Sequence, residues 1–463
     1  MRARTIRRHT SGNATAVALD ARISHAGEAP TDLYALKLPA LWQAFRKQRA
    51  SFWCMTSYLF FEYVRPQQIY ERLPNVPYNK ICLVLGAIFF VAEGRRIQFG
   101  KIEVGLLLFS IIVVASSAAA TFPQVSFDHL MEWFNWVIIY ILVSNTVDSE
   151  VRFLVFVFTM HLWNLKMSVH GTKSWAQDGF AFRDWGTGGA PGFFQNSGEF
   201  GLEMCIFLAM LAPWILSLRR YWSKWKFLFW IGVATTAITG IAGSSSRGAI
   251  LGAGAIVGTW LLRSRQKVRT LVLAVLVVGF VYVIMPPEAR ARYSTMGNDA
   301  TSLQRKTFWK QGMDMMQESP ALGIGYKNWM DVHRMRYPGT EHIVQHNIFV
   351  EIGSELGIGS ILVFLFLVGC TAATNRKTRQ MLKERPRSEF MIQMAFGLDA
   401  AMISYLVAGF FVTVFYYPFF WINLALTVGL HRAALASTVR SARRDVAPRA
   451  LRPRSFPLAA TPT

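Results

Sequence analysis

His346 and Arg247 are the side chains whose chemistry and sequence context stand out in this chain. His346 lies in the run QHNIFVEIGSELG before an apolar segment, and Arg247 follows three serines before another apolar segment. An imidazole, with an ordinary pKa of about 6.5, can take a proton from a hydroxyl at neutral pH. A guanidinium keeps its charge and its planar fork matches two phosphate oxygens. Together they predict transfer chemistry on a phosphorylated lipid, if both face the same side of a membrane.

Each of these residues also has a purely structural interpretation. His346 fits a histidine that caps the following helix, and Arg247 fits an interfacial arginine that reaches lipid head groups. Arg183 lies in a glycine-rich loop at about 170–198, where glycines let backbone N–H groups approach a ligand closely. The same loop could be no more than a flexible turn. Residue type and spacing leave both interpretations open.

Several polar residues are placed where they could support such a site. Glu351 and Glu355 are four residues apart after His346, and Glu199 and Glu203 repeat that spacing after the glycine-rich loop. This spacing puts each pair on one face of a helix. Carboxylates inside a membrane usually face the bundle interior or a wet cavity. We expect Glu351 and Glu199 to support the site, although salt bridges to the outer arginines would also explain them.

Metal and cofactor binding is not indicated. His342, His333 and Asp331 permit a metal site, but their spacing fits no standard ligand set and their loop contains no cysteine. All four cysteines lie in apolar segments without a Cys-x-x-Cys spacing, so neither a zinc site nor a disulfide is expected. The sequence predicts a site without a metal and without a cofactor.

Composition and apolar runs predict an all-α polytopic membrane protein. Of the 463 residues, 52% are hydrophobic and only 16% are charged. A span needs about 20 mostly apolar residues and must satisfy its own backbone hydrogen bonds, which favours helices. About twelve transmembrane helices are predicted, at 51–64, 81–93, 102–121, 131–147, 151–169, 199–218, 226–242, 247–262, 269–286, 347–373, 390–412 and 414–432. The first two are short for a span and could instead be re-entrant or interfacial.

Basic residues give the chain a predicted orientation. Alternate connections hold 34 lysines and arginines on one side and 14 on the other. The positive-inside rule therefore predicts that both termini are cytoplasmic and that the loops with Arg183, Arg247 and His346 face outward. The net charge of +22 comes largely from clusters beside apolar segments, which orient the chain and touch anionic lipids. We therefore expect the bilayer, and not nucleic acid, as the partner of these clusters.

The chain divides into helical membrane regions and connecting polar regions. One outer loop is nearly sixty residues long and has helical periodicity near 303–316 and 328–335. Loops of this length in a compact protein are usually functional. The predicted regions are a basic N-terminal segment (1–50), the first nine helices (51–286), the large outer loop (287–346), the last three helices (347–432) and a basic tail (433–463).

Three sequence runs in a fixed order resemble a known family. They are SSSRGAILGA, TSLQRKTFWKQGMDMMQESPALGIGYKNW and QHNIFVEIGSELGIG, all on one side of the predicted topology. This pattern, over about 180–360, resembles the O-antigen ligase family and the related O-antigen polymerases and protein O-oligosaccharyltransferases. The resemblance implies a GT-C-like integral membrane glycosyltransferase of the bacterial inner membrane, which acts at the periplasmic face without a metal.

The resemblance also implies roles for individual residues. Arg183 and Arg247 would hold the diphosphate of a glycan donor linked to undecaprenyl diphosphate, and Arg305 would be a further phosphate contact. His346 would activate the acceptor hydroxyl, with Asn347 beside it as support. The acceptor would be lipid A-core, as in a ligase, or alternatively a protein or the growing glycan.

A transporter or flippase of lipid-linked glycans is the contrasting function class. It would use the arginines as head-group contacts and make no bond. It predicts ionisable residues near mid-membrane and, in many families, an internal repeat. We find no repeat, and the polar motifs collect at one predicted face. These two features favour the enzyme.

Overall fold

The computed structural model consists of helices joined by turns. It describes residues 31–74, 76–182, 186–191, 194, 196–264, 266–284, 300–339, 343–385 and 387–446. No strand occurs within these ranges. Two short 3-10 helices, Pro66–Gln68 and Arg219–Tyr221, accompany the α-helices. The α-helices are α1 (Thr31–Tyr34), α2 (Leu38–Arg46), α3 (Ala50–Tyr63), α4 (Tyr78–Ala92), α5 (Lys101–Ala118), α6 (Pro123–Thr146), α7 (Glu150–Gln177), α8 (Ser197–Leu218), α9 (Lys224–Gly243), α10 (Arg247–Arg263), α11 (Lys267–Ile284), α12 (Ala300–Glu318), α13 (Trp329–Arg336), α14 (Ile348–Leu356), α15 (Ile358–Leu382), α16 (Glu389–Gly409) and α17 (Pro418–Val446).

Each predicted apolar segment is helical over most of its described length, and the chain is a multi-pass membrane protein. Within the described ranges, six helices are long and apolar enough to cross a membrane. They are Lys101–Ala118, Ser197–Tyr221, Lys224–Gly243, Ile358–Leu382, Glu389–Gly409 and Pro418–Val439. The count of twelve spans remains a prediction. Helix α3, with 14 residues, is about 21 Å long, which is short for a span, as the sequence indicated.

The predicted single helix at 347–373 is wrong, because the chain forms two helices there. Helix α14 ends at Leu356 and α15 begins at Ile358, with Gly357 between them at φ 83°. A Cβ at this position would lie 2.5 Å from the carbonyl oxygen of Ala321. Gly357 therefore permits both the backbone conformation and the close approach of the large loop. The break separates the short helix after His346 from the long apolar helix that follows.

The connection between the last two helices is also longer than the sequence suggested. We expected one residue, at 413, but α16 ends at Gly409 and α17 begins at Pro418. Residues 410–417, which we call the 410–417 turn, run between them. Proline fits the first position of a helix because its missing N–H would be unpaired there. The side chain of Glu351 on α14 accepts a hydrogen bond from the backbone of this turn.

Close packing holds α10 against α16. A Cβ on Gly248 would lie 3.1 Å from the Cβ of Phe411, and one on Gly252 would lie 3.0 Å from the hydroxyl of Ser404. Small residues at these two positions let the backbones approach. The close approach is confined to this pair, since a Cβ on Gly254 or Gly258 would have nothing within 4 Å. The start of α10, with Arg247, is thereby fixed beside the end of α16.

The two helices predicted in the large outer loop are present as α12 and α13. They share a small core with the residues between them, formed by Phe308, Met315, Ile324, Trp329 and Val332. Helix α12 also packs on α14, since a Cβ on Gly312 would lie 2.3 Å from Cγ1 of Val350. The described part of the loop is therefore a folded unit docked on the helix after His346.

Candidate active site

His346 occupies a constrained backbone position just before α14. Its φ is +50°, in the left-handed region that residues with a Cβ rarely adopt. The backbone N–H of His346 donates to Oγ1 of Thr413 at 2.8 Å. Asn347 then caps α14, because its side-chain oxygen accepts from the backbone N–H groups of Phe349 (2.8 Å) and Val350 (3.2 Å). The predicted support by Asn347 takes the form of this cap, which fixes where the helix begins next to the imidazole.

The imidazole of His346 is kept neutral by its surroundings. Burial, followed by the positive charge of Arg305, lowers the pKa of His346 from 6.5 to about 4. Both effects disfavour a second positive charge at this place. At neutral pH the ring therefore has a free lone pair that can accept a proton. The guanidinium of Arg305 is thus within electrostatic range of the ring.

Arg247 begins α10 and contacts the large outer loop. The helix is capped by Ser246, whose hydroxyl accepts from the backbone N–H of Ala249 at 3.3 Å. The Arg247 side chain donates from Nη1 to the hydroxyl of Ser302 at 3.2 Å. Ser302 lies on α12, three residues before Arg305, so both side chains are on one face of that helix. This contact brings Arg247 to the helix that carries Arg305.

The next turn of α12 reaches the segment that carries His346. Trp309 follows Arg305 by one turn, and its indole N–H donates to the carbonyl oxygen of Gln345 at 3.1 Å. The Trp309 ring also packs edge-on against Phe410, with 5.2 Å between ring centroids. Helix α12 therefore contacts Arg247 through its first turn and the residue before His346 through Trp309 at its middle. We call Arg247, Ser302, Arg305 and His346 the His346 site.

Arg183 lies outside the described residues, so its predicted place at the site is not tested. The neighbouring part of the glycine-rich loop packs closely against the turn that precedes Arg247. The backbone N–H of Thr187 donates to the carbonyl oxygen of Gly243 at 2.9 Å. A Cβ on Gly186 would lie 2.0 Å from the carbonyl oxygen of Ser244, so this approach requires glycine. The loop thus reaches the chain just upstream of Arg247.

Glu199 lies at the start of α8 and contacts the 410–417 turn. Asn196 caps this helix by accepting from the backbone N–H of Gly198 at 2.8 Å. The carboxyl group of Glu199 interacts with the hydroxyl of Tyr417, the last residue of that turn. The supporting role of Glu199 in the site stays a prediction.

Glu351 and Glu355 bind backbone and tyrosine groups. Oε2 of Glu351 accepts from the backbone N–H of Phe415 at 3.2 Å. Oε2 of Glu355 accepts from the hydroxyl of Tyr416 at 2.7 Å and from the backbone N–H of Lys327 at 3.0 Å. Burial is the largest cause that raises the pKa of Glu351, to about 8, and the pKa of Glu355 is raised by burial as well. Both carboxylates therefore have partners within the described residues, whereas the salt bridge to Arg183 that the sequence also offered involves a residue outside them.

The three residues considered for a metal site have other surroundings. The imidazole Nε2 of His333 and Oε1 of Gln311 are 3.0 Å apart, and the ring is stacked on Trp329 with 5.3 Å between centroids. Asp331 pairs with Arg334 at 3.6 Å. His342 lies outside the described residues. His333 is therefore a core residue of the large loop.

Sequence reasoning missed Ser302, Trp309 and Thr413. Ser302 and Trp309 lie one turn on either side of Arg305, so the helical periodicity of α12 could have indicated them once Arg305 was chosen. Thr413 is 67 residues from His346 in the chain, and no local pattern marks it. A contact of this kind depends on how α14 and the 410–417 turn pack.

A comparison with known families agrees with the motifs. A family model described as O-antigen ligase matches residues 232–365, a range that contains Arg247, Arg305 and His346. No curated protein sequence matches the chain. Members of this family are membrane glycosyltransferase-like enzymes. Residues 232–365 are therefore similar to the O-antigen ligase family, in agreement with the three sequence runs.

Proposed function

We propose that this protein is an O-antigen ligase of the bacterial inner membrane, with both termini in the cytoplasm. It transfers a glycan from undecaprenyl diphosphate to a hydroxyl of lipid A-core at the periplasmic face, in a GT-C-like architecture and without a metal. His346 is the general base. Arg247 and Arg305, together with Arg183, hold the diphosphate.

The observation that carries this proposal is the path of α12. Arg247 binds Ser302 on its first turn, Arg305 follows on the same face, and Trp309 binds the residue before His346. Two fixed cations and a neutral imidazole are therefore tied to one helix. A diphosphate needs cations, and a hydroxyl nucleophile needs a base within hydrogen-bond reach. The His346 site supplies both types of group.

The chemical step follows from these roles. The acceptor oxygen attacks the anomeric carbon of the donor sugar while its proton moves to the imidazole of His346. The bond between that carbon and the phosphate oxygen breaks, and its electron pair remains on the leaving undecaprenyl diphosphate. Negative charge grows on the diphosphate in the transition state, so Arg247 and Arg305 stabilise that state more than the ground state.

Donor binding would also strengthen the base. The positive charge of Arg305 contributes to the lowered pKa of His346 in the free protein. A bound diphosphate brings negative charge to the same guanidinium and offsets its effect on the ring. The pKa of His346 then moves back toward its ordinary value, where proton transfer from a hydroxyl is more favourable. In this proposal the base becomes effective when the donor is present.

The acceptor distinguishes the proposed ligase from two alternative enzymes. An O-antigen polymerase would use the growing glycan, and a protein O-oligosaccharyltransferase would use a serine or threonine hydroxyl of a protein. All three use the same donor and the same base. Of the acceptor, only the reacting hydroxyl reaches the His346 site in this proposal, so an experiment with each acceptor distinguishes the three enzymes.

Reconstitution tests the function and its alternatives together. The purified protein in liposomes receives undecaprenyl-diphosphate glycan with EDTA, and lipid A-core, a protein acceptor or free glycan in parallel. We expect glycan on lipid A-core and release of undecaprenyl diphosphate, and neither product with His346→Ala. Product on another acceptor would change the assignment to that enzyme. Movement of the donor across the bilayer without any release of undecaprenyl diphosphate would favour a transporter.

A further inference from the structure

The 410–417 turn holds the histidine segment in place. The N–H of His346 points to the hydroxyl of Thr413, and this is the bond recorded for that N–H in the described residues. His346 has a Cβ and yet adopts φ +50°. A left-handed non-glycine residue persists only where its surroundings enforce the conformation. Thr413 is the neighbour that binds the backbone at this position.

The turn is itself fixed by the helix that follows His346. Glu351, one turn into α14, accepts the N–H of Phe415, two residues beyond Thr413. Glu355, one turn further, binds the hydroxyl of Tyr416. All of Glu351, Glu355, Phe415 and Tyr416 are buried, at 9% exposure or less. The two carboxylates therefore hold the same turn whose threonine binds the base.

These contacts form a closed loop of connections. His346 is hydrogen-bonded to Thr413, and the 410–417 turn continues from there to Phe415. Phe415 is hydrogen-bonded to Glu351, and the first turn of α14 connects Glu351 back to His346 along the chain. Such a loop fixes the direction of the imidazole more firmly than the cap by Asn347 does alone, because a cap orders the helix and leaves the preceding residue free to rotate. The spacing of histidine and the first glutamate in the sequence matches this geometry.

We propose that Thr413 and Glu351 are positioning residues, which hold His346 in its left-handed conformation and aim its ring at the acceptor hydroxyl. That the ring is aimed at an acceptor hydroxyl rests on the proposed function, whereas the hydrogen bonds that hold His346 do not depend on it. Neither residue gives or takes the proton of the reaction. Glu351 acts on the base through the 410–417 turn.

Thr413→Val is the most direct test, with Thr413→Ser as its matched control. Valine has nearly the shape of threonine and lacks the oxygen that accepts the N–H of His346, whereas serine keeps it. Because a small displacement of a catalytic group is costly, we expect kcat to fall about 10- to 100-fold in Thr413→Val. The KM for the donor should stay within about twofold, since the arginines are untouched. Thr413→Ser should retain most of the wild-type kcat.

A second readout does not depend on transfer. Diethyl pyrocarbonate modifies exposed imidazoles, and mass spectrometry gives its rate at His346. We expect this rate to rise about threefold or more in Thr413→Val, because the segment with His346 opens more often without its bond to the turn. In Thr413→Ser the rate should stay at the wild-type value. Thermal unfolding in detergent confirms that each variant is folded.

The results separate this proposal from the proposed function. If wild-type protein transfers no glycan but the modification rates differ as expected, the proposed function fails and the positioning role stands. If Thr413→Val matches the wild type in modification rate and in kcat, the positioning role is wrong. Equal losses of kcat in Thr413→Val and Thr413→Ser also overturn it, because the hydroxyl would then not be the responsible group.

Discussion

Two groups of charged side chains near α16 differ in what their carboxylates bind. At the Asp399 cluster, defined as Asp399, Arg263, Arg379 and Asn375, the carboxylate accepts from both guanidiniums, at 3.1 Å and 2.6 Å, and from the amide at 2.8 Å. Near the His346 site, Glu351 and Glu355 instead accept from backbone N–H groups and a tyrosine.

This difference indicates different tasks for the two regions. An arginine that shares a buried carboxylate has its charge neutralised within the fold, so it serves mainly to join helices. Glu351 and Glu355 bind backbone N–H groups, so they serve mainly to fix the 410–417 turn and the segment at Lys327. Arg247 and Arg263 are the first and last residues of α10, about 24 Å apart along the helix axis, and they belong to these two regions. Substitutions of these two arginines therefore compare the His346 site with the Asp399 cluster on a single helix.

Removing the base should have the largest effect. His346→Ala deletes the proton acceptor, and we expect transfer to fall at least about 10³-fold, near the upper range for general-base catalysis. Binding of undecaprenyl diphosphate and thermal stability should be nearly unchanged, because the backbone N–H that binds Thr413 remains. Initial rates and a donor-binding titration provide the measurement. Transfer at the wild-type rate would make His346 a structural residue.

The two ends of α10 give the next largest contrast. Arg247→Lys keeps the charge but loses the planar fork, and we expect transfer to fall about 100-fold. The same change at Arg263, in the Asp399 cluster, should leave transfer within about threefold of wild type, because that guanidinium is engaged inside the fold. Initial rates of both variants test this. Equal rates would remove the distinction between the two regions.

The Asp399 cluster should matter for stability more than for chemistry. Asp399→Asn leaves two guanidiniums without their carboxylate, at a cost of about 2 to 3 kcal/mol, below the figure for fully buried pairs because Arg263 is partly exposed. Thermal unfolding should shift to lower temperature. Transfer per folded molecule should match the wild type. A folded variant with normal stability and lost transfer would place Asp399 in the catalytic machinery instead.

The smallest expected effect is a shift in pH dependence, which is separate from the lower rate that loss of a diphosphate contact also causes. Burial and then Arg305 lower the pKa of His346 to about 4, so the free base persists as pH falls and kcat/KM should decline only near that value. Arg305→Gln removes the second cause, which raises the pKa and moves the decline to higher pH, though not as far as 6.5. A pH profile of kcat/KM measures this shift. An unchanged acid limb would show that Arg305 does not act on the ring.

Local signals in the sequence located most of the helices and singled out His346 and Arg247, whose roles stay predictions. Apolar runs located the helices, and helical periodicity in the large loop located α12 and α13. Asn347 was recognisable beside His346, and it caps α14 as asparagine commonly does.

Features that depend on distant parts of the chain were not predictable. The break at Gly357 arises because Ala321 of the large loop lies against it, and an apolar run gives no sign of that neighbour. The bond from His346 to Thr413 joins two segments that come together only when α14 and the 410–417 turn pack. The partners of Glu351 and Glu355 are backbone groups, which no residue type identifies.

The central claim is that a lipid diphosphate binds at Arg247 and Arg305, directly beside His346. The most direct measurement is the rate at which diethyl pyrocarbonate modifies His346 as undecaprenyl diphosphate is added to the detergent-solubilised protein. We predict saturable protection of His346 in the wild type, and protection only at much higher ligand concentration in Arg247→Lys. A modification rate at His346 that stays constant while the ligand demonstrably binds would contradict the account.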